Sequence, residues 1–382
     1  MIYLDNASTS WPKPEPVFQA VSDCLRNAGG NPGRGGHSLA RAADRILYEA
    51  RQELAWLFKA NNPASITFAY SATDALNAAL FGLLKPGDKV VTTSMEHNAV
   101  ARPLRELETR GVRLTVIKCD QTGRLPLHDL KKCLSGARAV VIGHGSNVTG
   151  TMVSLADVGI LAAEAGAILV VDAAQTGGVE EIDVAAMGVD ILAFSGHKGL
   201  LGPQGTGGIY LRPGLDIAPL RYGGTGSQSD SDRQPSIYPD RLESGTPNTP
   251  GIAGLLAGVR YIRETGQGKI RQTERELTAR LFEGLAATPG VTVYGPAGTE
   301  NRTAVVSFTI KGIDSGEVAW RLDRDYGVAC RAGLHCAPWA HNTIGTLQSG
   351  TVRFSPGYFN SDADIIAAVE AVKAVAVTGG SE

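Results

Sequence analysis

Several features that would assign this chain to a familiar class are scarce or missing. It has five cysteines, Cys24, Cys119, Cys133, Cys330 and Cys336. The set is odd in number and irregular in spacing, so it describes no disulfide framework. The opening residues, MIYLDNASTSWPKP, carry neither the basic stretch nor the apolar run of a secretory leader. These two absences predict a cytoplasmic protein. No apolar run approaches the ~18 residues of a membrane-spanning helix. Formal net charge is only −2, from 36 basic and 38 acidic residues, with no block of Lys and Arg. Neither nucleic acid nor a membrane surface is therefore expected as a partner. Neither CxxC nor HExxH occurs, so no metal site is predicted. The glycines do not form GxGxxG after a strand, which argues against a nicotinamide cofactor. There is no internal repeat and no sizeable low-complexity tract.

What is present reads as a globular enzyme. Apolar residues make up 43% of the chain and charged residues 19%. A chain of 382 residues is long for one core, and two domains are expected. The boundaries predicted are 15–255 for a large domain and 256–382 for a small one, with residues 1–14 packing on the second. From Ser65 to Tyr210, apolar runs such as Ala139–Ile142, Ile168–Val171 and Ile191–Phe194 alternate with helical stretches. Many of these runs are continuous, as in strands covered by helices on both faces. The large domain is therefore α/β with a mostly parallel sheet. The rest reads as α+β, with strands at Thr303–Ile310 and Thr351–Ser355 between helices. The glycine-rich segment holding Arg34 and His37 is a loop, whose side chains are either solvated or part of a site.

Ligands of open parallel sheets lie at the carboxyl ends of strands, and polar residues follow the apolar runs directly. Ser71-Ala72-Thr73 opens a helix, either as a plain N-cap or as a phosphate site. His97 follows the strand at Lys89–Thr93, either as a loop histidine or as a catalytic ring that stacks on a ligand or moves protons. Asn147 follows the strand at Ala139–Ile142. Asp172 and Gln175 follow Ile168–Val171. A carboxylate there needs a cation or several donors, and either a helix cap or a pyridinium partner would serve. Ser195, His197 and Lys198 follow the last run, inside FSGHKGLLGPQGTGG. A lysine beside a turn is commonly just a loop residue. A buried one has a lowered pKa and is fit to form a Schiff base.

Taken together, SGHK, VDAAQ, the earlier Glu96-His97 and SGTPN resemble the class V aminotransferase-fold enzymes, which depend on pyridoxal 5'-phosphate (PLP). More narrowly, RAGLHC (Arg331 to Cys336) is similar to cysteine desulfurases of the sulfur-mobilisation type. The resemblance runs from YLDNAST to TVRFSPGYFN. It implies fold type I of the PLP-dependent transferases, with a mostly parallel seven-stranded sheet. It implies that Lys198 carries the cofactor, that Asp172 pairs with the ring nitrogen and Gln175 with the ring oxygen, and that His97 stacks on the ring. Ala72 and Thr73 amides, Ser195 and His197 would hold the phosphate. Thr246 would reach the phosphate of the neighbouring subunit, which implies a homodimer. Asn147 and Arg353 would hold the substrate carboxylate, to which a guanidinium fork is matched. Ala72 stands where relatives often carry a hydroxyl.

The chemistry this implies converts L-cysteine to L-alanine and leaves the sulfur as a persulfide on Cys336. L-selenocysteine is the alternative substrate, and another class V aminotransferase or lyase the more distant one. A thiolate is the nucleophile, and Arg331 and His335 are expected to supply positive charge beside it and to help bind substrate. The short Gly- and Pro-containing segment around Cys336 should hold the thiol near the site, so that any sulfur-acceptor protein must dock closely. Cys24, Cys119, Cys133 and Cys330 read as core.

Overall fold

The computed structural model describes residues 1–33 and 35–378. The chain begins with a short strand, β1 (Ile2–Tyr3), and two helices, α1 (Glu15–Asn27) and α2 (Ser38–Leu57). Strands and helices then alternate: β2 (Ile66–Ala69), α3 (Ala72–Leu83), β3 (Lys89–Thr93), α4 (Asn98–Thr109), β4 (Arg113–Ile117), α5 (Leu127–Cys133), β5 (Ala139–Gly143), α6 (Leu155–Ala165) and β6 (Ile168–Asp172). Two strands, β7 (Ile191–Ser195) and β8 (Gly207–Leu211), complete this part. The remainder is α7 (Thr249–Thr265), α8 (Gln267–Ala286), β9 (Val291–Tyr294), β10 (Val306–Ile310), α9 (Ser315–Tyr326), β11 (Val328–Ala329), β12 (Arg331–Gly333), α10 (Pro338–Thr343), β13 (Thr351–Phe354) and α11 (Asp362–Thr378).

The seven-stranded sheet has the order β2-β8-β7-β6-β5-β3-β4. Only β8 runs against the rest, antiparallel to both β2 and β7. The mostly parallel sheet expected from the apolar runs is thus present. Its two faces separate with a period of two. Val140, Ile142, Leu169, Val171, Leu192 and Phe194 pack under α2, α6 and α7. Ala139, Val141, Ile168, Val170, Ile191 and Ala193 pack under α3 and α4. A strand apolar on both faces has no other stable place than between two helical layers.

The free margin of β2 is closed by side chains from elsewhere. Arg51 on α2 donates to the Ile66 carbonyl at 2.7 Å. Glu243 accepts from the Phe68 amide at 2.6 Å. The two are ion-paired with each other at 2.7 Å.

A second, four-stranded antiparallel sheet has the order β12-β13-β10-β9. Its core joins Leu4 to residues of α8, α9 and α11. The N-terminal segment lies here because β1 pairs in parallel with β11. Where residues 256–262 were assigned to the small domain, the packing differs. Leu256, Val259 and Ile262 face the large-sheet core, as does Ile270 on α8, whereas Leu277, Leu281 and Leu285 face the second core. The apolar stripe of α7 at 252, 255, 256, 259 and 262 is what keeps that helix on the large sheet.

Candidate active site

Strands β2, β3, β5, β6 and β7 all point the same way, so their carboxyl ends gather along one edge of the sheet. A cavity of about 230 Å³ lies there. Its wall includes Ala72, Thr73, His97, Asn147, Asp172, Gln175, Ser195, His197 and Lys198 from the strand ends, and Arg331, His335 and Arg353 from the small sheet. A wider groove of about 750 Å³ between α1, α2 and α7 contains no strand end and none of these residues.

Lys198 follows β7 by three residues. Burial first, and then Arg353 and Arg331, lower its pKa to about 8, while Asp172 and Asp5 act in the opposite sense. Asp172 ends β6. Its Oδ1 accepts from the Ala174 amide at 2.9 Å. Burial raises its pKa, opposed by that amide and by Lys198. Asp172 thus caps a turn rather than a helix, and it also lines the cavity.

His97 caps α4, with Nδ1 accepting from the Ala99 amide at 3.0 Å. Burial, reinforced by Lys198, Arg331 and Arg353, lowers its pKa to about 4. The ring is therefore neutral near pH 7. Ser71 caps α3, accepting from the Asp74 amide at 3.2 Å. The Ala72 amide donates to Ser195 Oγ at 3.1 Å, and Thr73 at N2 has no intrahelical acceptor. This turn lies against β8 so closely that a Cβ on Gly207 would come within 2.9 Å of the Ser71 backbone. Gln175 Nε2 donates to the Ala7 carbonyl at 3.1 Å.

The residue set fits a phosphorylated aldehyde cofactor. Among the described residues, His197 Nδ1 and Arg353 Nε are buried with no protein partner, although both residues line the cavity. Burial, Lys198 and Lys13 lower the His197 pKa to about 4, so its ring is neutral near pH 7. An amine of lowered pKa, a helix amino end with a hydroxyl beside it and a carboxyl facing the same space make up the rest of the donor set.

Arg353 is almost fully enclosed, at 1% exposure, so it is no surface ion pair. Nη1 donates to the Asn147 carbonyl at 3.0 Å. Nη2 donates to Asp5 Oδ1 at 2.7 Å and to Ser8 Oγ at 2.8 Å. Asn147 Nδ2 donates to the His335 carbonyl at 2.7 Å. One of its amide protons thus fastens the cysteine loop.

Cys336 is exposed rather than buried. It is not itself part of the cavity wall, but Arg331, which is, directs Nη2 at its Sγ across 3.6 Å. His335 departs from expectation. Its ring is buried, bonded to Thr351 at 3.1 Å, and burial with Arg353, His341 and Arg331 nearby pushes its pKa down to about 2. A neutral ring supplies no positive charge, so Arg331 alone of the two fills that role. Thr246 is exposed and lies outside this cavity. His37 is also exposed and caps α2, accepting from the Ala40 amide at 3.4 Å. Arg34 lies outside the described residues.

Sequence reasoning gave no site role to the wall residues Ser8, Glu96 and Cys119, nor to Asp5 behind them. Asp5 and Ser8 come from the YLDNAST stretch, but nothing in its pattern pairs them with arginines more than 300 positions away. Glu96 is buried, accepting from Thr93 Oγ1 at 2.6 Å and from the Gly143 amide at 2.9 Å. Cys119 is buried as expected, yet it lines the cavity. Burial and Glu96 raise its thiol to about 11.

Comparison with known proteins agrees with this geometry. Residues 2–367 match the aminotransferase class-V family model. A probable cysteine desulfurase of Methanothermobacter thermautotrophicus is 34% identical, over 99% of this chain and 95% of its own length. One from Pyrococcus abyssi is 37% identical, over 94% and 90%. Among solved structures, the apo cysteine desulfurase of Thermococcus onnurineus superposes with a TM-score of 0.93 at 36% identity, covering 99% of this chain and 95% of the other. Sequence, sheet order and strand-end site point the same way: the chain belongs to the class V aminotransferase family, among its cysteine desulfurases.

Proposed function

We propose that the chain is a PLP-dependent cysteine desulfurase, in which the amine that holds the cofactor is Lys198 and the thiol that takes the sulfur is Cys336. The observation that carries this reading is Arg331, which lines the Lys198 cavity and also reaches the Cys336 sulfur. Ser195, His197 and the amides of Ala72 and Thr73 would hold the phosphate. His97 would cover one face of the ring, Asp172 would meet the ring nitrogen and Gln175 the ring oxygen. Bound there, PLP would supply a sink for the electron pair left at Cα.

The chain's own groups do the rest. Arg353, with its unpartnered Nε, and Asn147 take the carboxylate of L-cysteine. Lys198, neutral in part near pH 8, receives the Cα proton. The Cys336 thiolate attacks the substrate sulfur. The carbon–sulfur bond breaks, a sulfur–sulfur bond forms, the substrate's Cβ takes up the proton given up by the Cys336 thiol, and Lys198 returns its proton to Cα. Enzyme thiol plus cysteine thus give enzyme persulfide plus alanine. The reading includes a cytoplasmic homodimer in which Thr246 serves the partner subunit's phosphate site, and an acceptor protein that docks at the exposed Cys336. No described helix is long and apolar enough to cross a membrane. The test is to incubate PLP-loaded protein with L-cysteine and, separately, L-selenocysteine, quantifying alanine and released chalcogen. Alanine from cysteine is expected. Alanine from selenocysteine alone would move the assignment to a lyase, and none from either would end it.

A further inference from the structure

Residues 5–9 form a turn, with the amides of Ser8 and Thr9 both donating to the Asp5 carbonyl, at 3.0 and 3.4 Å. The turn is pinned beside the end of β13. The Asn6 amide donates to the Ser355 carbonyl at 3.2 Å, and the Ala7 amide to Ser355 Oγ at 2.9 Å. This attachment carries the Ser8 hydroxyl between two guanidinium groups. Arg331 and Arg353 are directly opposite each other on the antiparallel strands β12 and β13. Like charges so placed repel, and something must offset them.

Ser8 Oγ accepts from Arg353 Nη2 at 2.8 Å and from Arg331 Nη1 at 3.0 Å, and donates to Asp5 Oδ1 at 2.7 Å. A hydroxyl has one proton and two lone pairs, so all its capacity is used. The same Asp5 oxygen takes Arg353 Nη2 at 2.7 Å. From Arg331 the chain of contacts continues through Nη2 to Cys336 Sγ at 3.6 Å.

We infer that Ser8 is a positioning residue, whose single oxygen sets both the guanidinium that takes the substrate carboxylate and the guanidinium beside the sulfur-accepting thiol. The inference rests on the desulfurase reading for the roles of the two arginines. It explains why two cations can stand face to face at the cavity wall while, among the described residues, only Arg353 is paired with a carboxylate.

The test is Ser8→Ala, read in two ways. In protein without cofactor, the rate of Cys336 alkylation by iodoacetamide, mapped by mass spectrometry at one fixed pH, should fall about three- to tenfold, the worth of one ordinary hydrogen bond. In PLP-loaded protein, the dissociation constant for L-alanine, followed by visible absorbance, should rise by a similar factor. Ser8→Thr, which keeps the hydroxyl, should stay within about twofold of the parent in both. In an Arg331→Ala background, Ser8→Ala should leave alkylation unchanged yet still weaken alanine binding. Should Ser8→Ala lose its native melting transition, Asp5→Asn, which loosens the same turn, should shift both readouts together. A change in only one readout, or an equal fall in alkylation with and without Arg331, overturns the inference. Protein that takes up no PLP would end the desulfurase reading, while the alkylation comparison would still decide the link from Ser8 to Cys336.

Discussion

The backbone amide of Asn98 donates to the carbonyl of Cys336 at 2.8 Å. One residue after the histidine at the cavity wall, the chain thus grips the residue that carries the exposed thiol. The grip is needed because His335 and Cys336 both adopt positive φ, 49° and 57°. A non-glycine residue in that region costs about 1–2 kcal/mol. The bond from Asn98, that from Asn147 to the His335 carbonyl and the apolar seat of Ala337 beside Met95, Cys119 and Val148 offset this. The thiol is held in place, as the short sequence around it suggested.

Asn147→Ala removes the donor from a buried carbonyl. A loss of about 1–3 kcal/mol in stability is expected, visible in denaturant melts, together with a higher KM for cysteine. An unchanged KM would mean that the loop keeps its position without this bond.

Lys198→Ala should remove the absorbance band that PLP-loaded protein shows at about 420 nm, a general property of a protonated imine of this cofactor. The wild-type amine, with its pKa lowered to about 8, is the nucleophile only when neutral. Cofactor uptake by the apo protein should therefore quicken as pH rises and level off above about 8. Stopped-flow absorbance measures this, and a flat profile would contradict it.

Cys336→Ala should retain the band and lose sulfide release from cysteine. Undiminished release would remove Cys336 from the reaction, whatever its contact with Arg331.

Glu96 supplies a pH test of its own. Burial, opposed by Thr93 and Gly143 and reinforced by Asp172, raises its carboxyl from 4.5 to about 8. Between those values the folded state holds a proton that the unfolded chain has released, so stability falls as pH rises through this window. Glu96→Gln keeps the shape and cannot ionise. Its melting temperature relative to wild type should be higher at pH 8 than at pH 5, by on the order of a few °C. A constant difference would show that Glu96 does not titrate in this range.

The parts of the fold that could be read from the chain are those built on burial. Val140, Val170 and Leu192 sit in uninterrupted apolar runs, and each run became a strand of the large sheet. Strand β9, Val291–Tyr294, was not legible because its side chains are only partly buried, with Thr292 exposed. Strand β12 is just Arg331–Gly333, whose pairing to β13 is a property of the sheet rather than of three polar and small residues. At the site, the strand-end residues were legible from their position after apolar runs. The state of His335 was not, because it depends on Thr351 and His341, brought to it by the turn of the small sheet. Ser8 was invisible for the same reason, since its partners meet only across the whole length of the chain.

The Arg51–Glu243 pair at the free margin of β2 has a consequence for how molecules meet in solution. An uncovered outer strand offers its amides and carbonyls as a template for further strands, and proteins with long bare margins stick to one another. Here the outward carbonyl of Ile66 and amide of Phe68 are already taken by side chains. A stray extended peptide arriving at that border would have to compete with a bidentate ion pair for the same two groups, so the sheet cannot grow outward on this side and fibrous assembly has no foothold there.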